Sequence, residues 1–281
     1  MCFLISLKSA LIQADLPNSD TPRLDAEVLL YHVLGVRRSY LYAWPEKLLT
    51  TRQYEQFQAL LARRAQGEPI AYLTGHQEFW SLDLQVTENT LIPRPETELL
   101  VELAIARISE KAQIIDLGTG SGAIALAIAQ ECQQCNIIAT DNCPKALIVA
   151  QSNAKNLGID NIKFVQSNWY SNLENIKANI IVSNPPYIES SDKHLNQGDV
   201  RYEPRTALIA GKDGLTDIRQ IIAQASKHLV KKGWLLLEHG YNQAEAVQAL
   251  FKQHDYEAVK TYKDLAGIPR VTLGSNYAQC L

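Results

Sequence analysis

The chain has 281 residues, 46% hydrophobic and 20% charged, which excludes a wholly disordered protein and allows one large domain or a catalytic domain with a smaller companion. Its formal net charge of −3 gives no overall basic footprint for binding nucleic acid by counterion release, although a local basic patch stays open. The start has no basic n-region or small-residue cleavage site, and no apolar run reaches membrane length; both point to a cytoplasmic protein.

Residues 1 to about 75 carry helical periodicity without strand signals. Asp20 or Thr21 can cap a helix with Pro22 in its first turn, Leu24, Val28, Leu29 and Val33 follow at helical spacing, and Gly35 fits its stop. Thr51 to Gln66 places Tyr54, Phe57, Leu60 and Leu61 on one face. Residues 76–95 change character. Phe79 to Val86 alternates apolar and polar side chains, with a turn near Glu88-Asn89, and reads as a hairpin or extended linker. Pro93 and Pro95 forbid a helix between them, and helix resumes over Glu96 to Ile108.

From residue 112 strands and helices alternate. Strands are expected at Ile114-Ile115, Asn136–Thr140, Ile162–Val165, Asn179–Val182, Trp234–Leu237, Glu257–Tyr262 and Arg270–Leu273. Helices are expected at Ser121–Gln130, Pro144–Leu157, Leu215–Val230 and Asn242–Gln253. Such alternation specifies an α/β fold, a parallel doubly wound sheet with ligands at the carboxyl ends of its strands. Cys2, Cys132, Cys135, Cys143 and Cys280 are odd in number and spread out, which favours free thiols. Cys132-x-x-Cys135 lacks the second pair of a metal site, so no metal is expected.

The turn Asp116-Leu117-Gly118-Thr119-Gly120-Ser121-Gly122 lets the backbone approach a ligand closely, and Asp141 ends the next strand, where it can accept two ribose hydroxyls. Gly118, Gly120 and Ala123 also satisfy a dinucleotide fingerprint. Against that, Asp116 stands as an anion at the mouth of the turn, where it repels a pyrophosphate and suits an ammonium and a sulfonium. The downstream strands also offer no second glycine turn. The balance favours S-adenosylmethionine. Asn168-Trp169 follows the third strand; an indole there fits an adenine face or the core equally well.

Ile180-Ile181-Val182-Ser183 runs into Asn184-Pro185-Pro186-Tyr187. An amide or exocyclic amino nitrogen is a weak nucleophile because its lone pair is delocalised. Two acceptors gripping its hydrogens localise that pair: the Asn184 side-chain oxygen and the Pro185 carbonyl can do this. Tyr187 can stack on a planar acceptor and tolerate a nearby sulfonium. The motif therefore points to nitrogen methylation.

Over nearly its full length the chain resembles the HemK-like family of peptide chain release factor glutamine methyltransferases. The matching stretches include Gly67-Glu68-Pro69-Ile70-Ala71-Tyr72, Leu91 to Glu98, Asp116 to Gly122, Asn184 to Tyr187, Tyr202-Glu203-Pro204 and Glu238-His239-Gly240. The resemblance implies a Rossmann-like class I methyltransferase with a seven-stranded mostly parallel sheet and a small N-terminal helical bundle. It divides the chain into a docking domain at 1–75, a hairpin linker at 76–95 and a methyltransferase domain at 96–281. It implies that S-adenosyl-L-methionine is converted to S-adenosyl-L-homocysteine as the Gly-Gly-Gln glutamine of class I release factors is methylated. The cofactor contacts it implies are Asp116, Gly118, Thr119, Gly120, Ser121, Gly122, Asp141, Asn168, Trp169 and Asn184. Asn184, Pro185, Pro186 and Tyr187 hold the glutamine, with Asn184, Pro185 and Tyr187 catalytic. Asn168 stands where the family commonly has Asp, which puts cofactor affinity in question. A monomer without stable nucleic-acid or membrane binding is expected. The motif also occurs in adenine amino-methyltransferases and in a paralogue that methylates a ribosomal protein.

Overall fold

The computed structural model describes residues 5–277. They form two compact units: residues up to His76 together with His194–Tyr202, and Gln77–Lys193 together with the residues from Glu203 onward.

In the first unit, helices α1 (Leu7–Ile12), α2 (Pro22–Leu34), α3 (Ser39–Ala43), α4 (Thr51–Ala65) and α5 (Ile70–Thr74) enclose a core that includes Leu7, Leu29, Leu30, Phe57 and Leu61. Pro22 opens α2, and Gly35 closes it in the left-handed region. Thr21 makes no side-chain cap; its hydroxyl donates to Asp25 at 3.1 Å instead. Thr50 and Gln53 form a capping box at the start of α4. Helices α1, α3 and α5 escaped sequence analysis because five or six residues are too few to display a 3.6-residue period. His194–Tyr202 joins this unit through Arg64, which bonds Asp25 at 2.7 Å and Asp199 at 2.8 Å.

The second unit opens with a hairpin, β1 (His76–Phe79) and β2 (Leu82–Gln85). Its turn is Trp80-Ser81, both left-handed, and not Glu88-Asn89. Carboxylates stabilise this glycine-free turn: Trp80 N donates to Glu98 at 2.9 Å and Ser81 N to Glu78 at 2.8 Å. Glu88-Asn89 makes a separate turn, closed by Thr90 N donating to the Thr87 carbonyl, that joins no strands. The helix expected from Glu96 begins as a 3₁₀ turn (Pro95–Thr97) and continues as α6 (Glu98–Ile105).

Strands β3 (Gln113–Leu117), β4 (Asn136–Asp141), β5 (Ile162–Gln166), β6 (Ala178–Ser183), β7 (Leu229–Glu238), β8 (Tyr256–Lys263) and β9 (Pro269–Asn276) form one sheet in the order β5-β4-β3-β6-β7-β9-β8. The first five in that order pair in parallel, and β9 is antiparallel to both neighbours. Successive side chains point to opposite faces. Ile114 and Ile180 enter a core with Leu100 of α6 and Leu126 of α7 (Ala123–Glu131); Ile115 and Ile181 enter another with Ile218 of α9 (Thr216–Ala225) and Phe251 of α10 (Ala244–Gln253). Burial on both faces explains the unbroken apolar runs of the central strands. The expected helix Leu215–Val230 is shorter than its pattern. α9 stops at Ala225, and Val230 belongs to β7, whose Leu229 pairs with Ala178.

Cys132 and Cys135 are joined by a disulfide, which corrects the expectation of free thiols. The turn that ends α7 brings their Cα atoms to 5.4 Å, within bridging range. Cys143 is free, and Cys2 and Cys280 lie outside the described residues.

Asn153, buried in α8 (Pro144–Leu157), ties the hairpin to the glycine turn. Its Nδ2 donates to the Gln85 and Ser121 carbonyls, each at 2.9 Å, and its Oδ1 accepts Gln85 N at 2.7 Å. Asn153→Ala strands three backbone groups, one buried and two half-buried, so it should lower unfolding free energy by about 1–3 kcal/mol in urea titrations; an unchanged midpoint would contradict this role.

Candidate active site

The parallel register brings the loops of the site to one sheet edge. Leu117 pairs with Thr140 on one side and Ser183 on the other, and Ser183 pairs with Leu237. The glycine turn, Asp141, Asn184 and Glu238 therefore leave the sheet at similar heights.

Gly118, Gly120 and Gly122 all have positive φ. Gly120 N donates to Asp141 Oδ2 at 2.9 Å, and Cys143 N to Asp141 Oδ1 at 2.8 Å. The turn is thus fastened to the end of β4. At Gly118 a Cβ would meet the Trp169 ring at 3.4 Å, so bare backbone and indole face each other. Trp169 itself adopts φ 51° and lines the cavity together with Asp217.

These groups surround a cavity of about 480 Å³. Of the residues expected from sequence, Gly118, Gly120, Asp141, Asn168, Trp169, Asn184 and Pro186 line it. Asp116, Thr119, Ser121, Gly122, Pro185 and Tyr187 do not. Asp116 lies behind the turn and not at its mouth. It is fully buried, and its Oδ2 accepts the Thr119 hydroxyl at 2.6 Å. Its Oδ1 has no hydrogen-bond partner among the described residues. Ser121 and Gly122 are likewise buried beneath the turn. Sequence analysis missed the wall formed by Glu88, Asn89, Thr90 and Leu91, and the opposite contributions of Thr206, Ala207 and Asp217. The Leu91-to-Glu98 stretch was the available signal for the first; of the second, Thr206 and Ala207 lie in a short 3₁₀ turn without a legible period, and Asp217 lies in the first turn of α9.

At the Asn-Pro-Pro-Tyr end, Asn184 Nδ2 donates to Thr97 Oγ1 at 3.2 Å. The Tyr187 hydroxyl donates to Glu238 Oε1 at 3.3 Å, and its carbonyl accepts Gln243 Nε2 at 3.0 Å. Gly214 is required beside it, because a Cβ there would fall 2.3 Å from the Tyr187 carbonyl oxygen. Burial pushes the Glu238 carboxyl up to about 7, against hydrogen bonds from Thr97 and Tyr187 and the nearby Arg270 charge. Burial also raises Asp116 to about 7, opposed by the Thr119 hydroxyl and reinforced by Asp141. Asp141 is raised by burial and held back by the backbone N–H groups of Cys143, Gly120 and Asn142. Burial and the Glu238 charge push the Tyr187 phenol up. Among the described residues no cluster of His, Cys, Asp and Glu could hold a metal ion, and no helix is long and apolar enough to cross a membrane.

This strand order, with a glycine turn after β3, an acid ending β4 and Asn-Pro-Pro-Tyr after β6, defines a Rossmann-like class I methyltransferase. Residues 4–75 match the PrmC N-terminal domain, and residues 95–199 match the methyltransferase small domain. The release factor glutamine methyltransferase of Escherichia coli (strain K12) is 53% identical over 96% of this chain and 98% of its own length. That of Pseudomonas aeruginosa is 48% identical over 96% and 99%. A methyltransferase from Pyrococcus furiosus, 18% identical, shares the fold with a TM-score of 0.55 over 77% of this chain and 98% of its own. The chain belongs to the release factor glutamine methyltransferase family.

The buried carboxyl of Asp116 makes stability pH-dependent. Its folded pKa of about 7 exceeds the ordinary 3.8, so its contribution is fully present below the unfolded pKa and is lost as pH rises through about 7. The melting temperature should fall between about pH 5 and pH 8, and Asp116→Asn should flatten that fall. Equal slopes for the two proteins in a pH series of thermal melts would show that Asp116 is not the titrating group.

Proposed function

We infer that the protein transfers a methyl group from S-adenosyl-L-methionine to the side-chain amide nitrogen (N5) of the glutamine in the Gly-Gly-Gln loop of class I peptide chain release factors. The observation that carries this reading is the Asn184–Thr97 hydrogen bond at the rim of the cavity. It engages the Asn184 nitrogen and leaves the side-chain oxygen for a substrate amide.

The groups present suit the cofactor. The cavity is of the size that encloses a small molecule. Gly118 offers a cradle that a side chain would fill, Asp141 stands beside it, and Asp116 keeps an unpaired buried oxygen behind the turn. Gly118, Gly120, Asp141, Asn168, Trp169 and Asn184 would hold the cofactor. Once bound, it supplies a methyl group activated on a sulfonium and leaves as S-adenosyl-L-homocysteine.

The chain's own residues prepare the nucleophile. Asn184 Oδ1 and the Pro185 carbonyl accept the two N–H groups of the glutamine amide and localise its lone pair. Catalysis then consists largely of positioning. Tyr187, anchored on Glu238, keeps the loop in place, and Pro186 supplies wall. The helical residues 1–75 would grip the release factor, with 76–95 orienting it ahead of the methyltransferase domain at 96–281. The enzyme acts as a monomer in the cytoplasm, where its protein acceptor resides.

Incubation with methyl-labelled cofactor and a release factor tests the assignment. Label should enter the release factor and disappear when its Gly-Gly-Gln glutamine is replaced by alanine. Label that survives the replacement, or that enters only DNA or a ribosomal protein, would defeat it. Asn184→Ala should lower kcat by about 100-fold or more while cofactor affinity stays within about threefold. Gly118→Val should show the reverse pattern in calorimetry: its Cβ branches meet the Trp169 ring at a positive φ, and cofactor affinity should drop by at least about tenfold.

A further inference from the structure

Glu238-His239-Gly240 is distinctive in the sequence, and the reaction outlined above gives its glycine no task. Gly240 follows the end of β7 and meets Gln243, the residue that precedes α10. The two are bonded reciprocally. Gln243 N donates to the Gly240 carbonyl at 3.0 Å, and Gly240 N donates to Gln243 Oε1 at 2.8 Å. A Cβ at Gly240 would stand 3.0 Å from that oxygen. The other end of the same side chain reaches the Asn-Pro-Pro-Tyr loop. Gln243 Nε2 donates to the Tyr187 carbonyl at 3.0 Å and to the Gly214 carbonyl at 3.3 Å. The residue is buried, with 7% of its surface exposed.

These partners fix which way the amide faces. A side-chain amide can exchange its oxygen for its nitrogen by turning over about its last torsion. Here the oxygen faces a backbone N–H, which only donates, and the nitrogen faces two backbone carbonyls, which only accept. Turned over, the amide would set like against like at all three positions. The Tyr187–Ile188 peptide is thereby fastened on both sides: its carbonyl accepts from Gln243, and its N–H donates to the Leu208 carbonyl at 2.9 Å. At the start of the loop, Ser183 is held in register with Leu117 and Leu237. Between these two anchors stand Pro185 and Pro186, whose rings fix φ. Few torsions stay soft, so pinning the far end of the loop sets the direction of the Pro185 carbonyl. We propose that Gln243 is a positioning residue for the amide site: its bond to the Tyr187 carbonyl pins the end of Asn184-Pro185-Pro186-Tyr187 and so aims the Pro185 carbonyl at the acceptor nitrogen.

The inference rests on amide methylation as proposed above, and the tests separate the two. Methyl transfer by the wild-type protein to the release factor glutamine is measured first; its absence defeats the functional reading. With that activity in hand, Gln243→Met keeps the length of the side chain and removes its three bonds. Calorimetric titration with the cofactor counts the folded molecules, and kcat is taken per folded molecule. It should fall by about 10- to 100-fold, with KM for S-adenosyl-L-methionine within about threefold, because Gly118, Gly120 and Asp141 stand at other strand ends. A variant that loses stability but keeps wild-type kcat per folded molecule would overturn the proposal. So would a loss confined to the cofactor KM.

A measurement on the wild-type protein needs neither activity nor a folded variant. The two Gln243 side-chain amide protons, assigned through bonds to the Gln243 backbone, should exchange at least about tenfold more slowly than those of an exposed glutamine, as buried hydrogen bonds require. Exchange as fast as that of an exposed glutamine would show that the amide is not held, and the proposal would fail.

Discussion

Ser183 lies in register with Leu117 on one side and Leu237 on the other. That pairing decides where every reactive group can stand. Parallel strands end together, so the glycine turn after β3, the Asp141 carboxylate ending β4, Asn184 after β6 and Glu238 at the end of β7 share one rim. A one-residue slip of β6 would carry Asn184 along the rim and exchange Ile180 and Ile181 between the two faces of the sheet. Each isoleucine is fully buried in its own core. The hydrophobic effect thus holds the register, and the register holds the chemistry.

Two buried carboxyls work behind that rim, and a hydroxyl reaches each of them. Asp116 receives that of Thr119, and Glu238 receives that of Tyr187. Each acid also keeps one oxygen without a hydrogen bond among the described residues. Burying a carboxyl this way is costly, which is why both are pushed up to about 7. A fold gains nothing in stability from such a group, and clusters of them mark places where structure serves function. Asp116 organises the glycine turn at the cavity, and Glu238 organises the Asn184-to-Tyr187 loop beside it. The two devices share a design: a carboxyl buried at a strand end holds a hydroxyl of the loop beside it.

Sequence reading reached most of the sheet and part of the site, and the shortfall has physical causes. Ile114-Ile115 and Ile180-Ile181-Val182 announce central strands because burial on both faces removes polar residues from them. The α9 pattern ran on to Val230 because an apolar residue leading into a buried strand looks like one more helical turn. The Trp80-Ser81 turn was invisible because carboxylates from Glu78 and Glu98 replace the glycine that normally marks such a bend. Within the site, residues that reach the cavity through backbone or a strand end were legible: Gly118, Gly120, Asp141 and Asn184 all line it. Asp116 was placed at the mouth of its turn because spacing records order along the chain, not which way a side chain faces. Thr206 and Ala207 come from a long excursion between Asn184 and α9, Asp217 comes from the first turn of α9, and only tertiary folding returns them to the rim.

Hydrogen-bond polarity also explains why such a site would accept an amide and refuse its closest analogues. The Asn184 oxygen and the Pro185 carbonyl are both acceptors, so a ligand must bring two donors on one planar nitrogen. A glutamate side chain brings acceptors only when ionised, and would set oxygen against oxygen. A site built from buried polar groups rejects a partner that leaves them unpaired far more strongly than an apolar pocket rejects a missing methylene. An alkylammonium brings donors, but its nitrogen has no lone pair to localise. Selectivity of this kind requires that Asn184 never present its own NH₂ to the substrate, since one rotation would convert the site from an amide reader into one that tolerates carboxylates. A residue whose function depends on which of two nearly identical atoms faces outward needs a partner for the other atom, and the Thr97 hydroxyl on the Asn184 nitrogen is that partner.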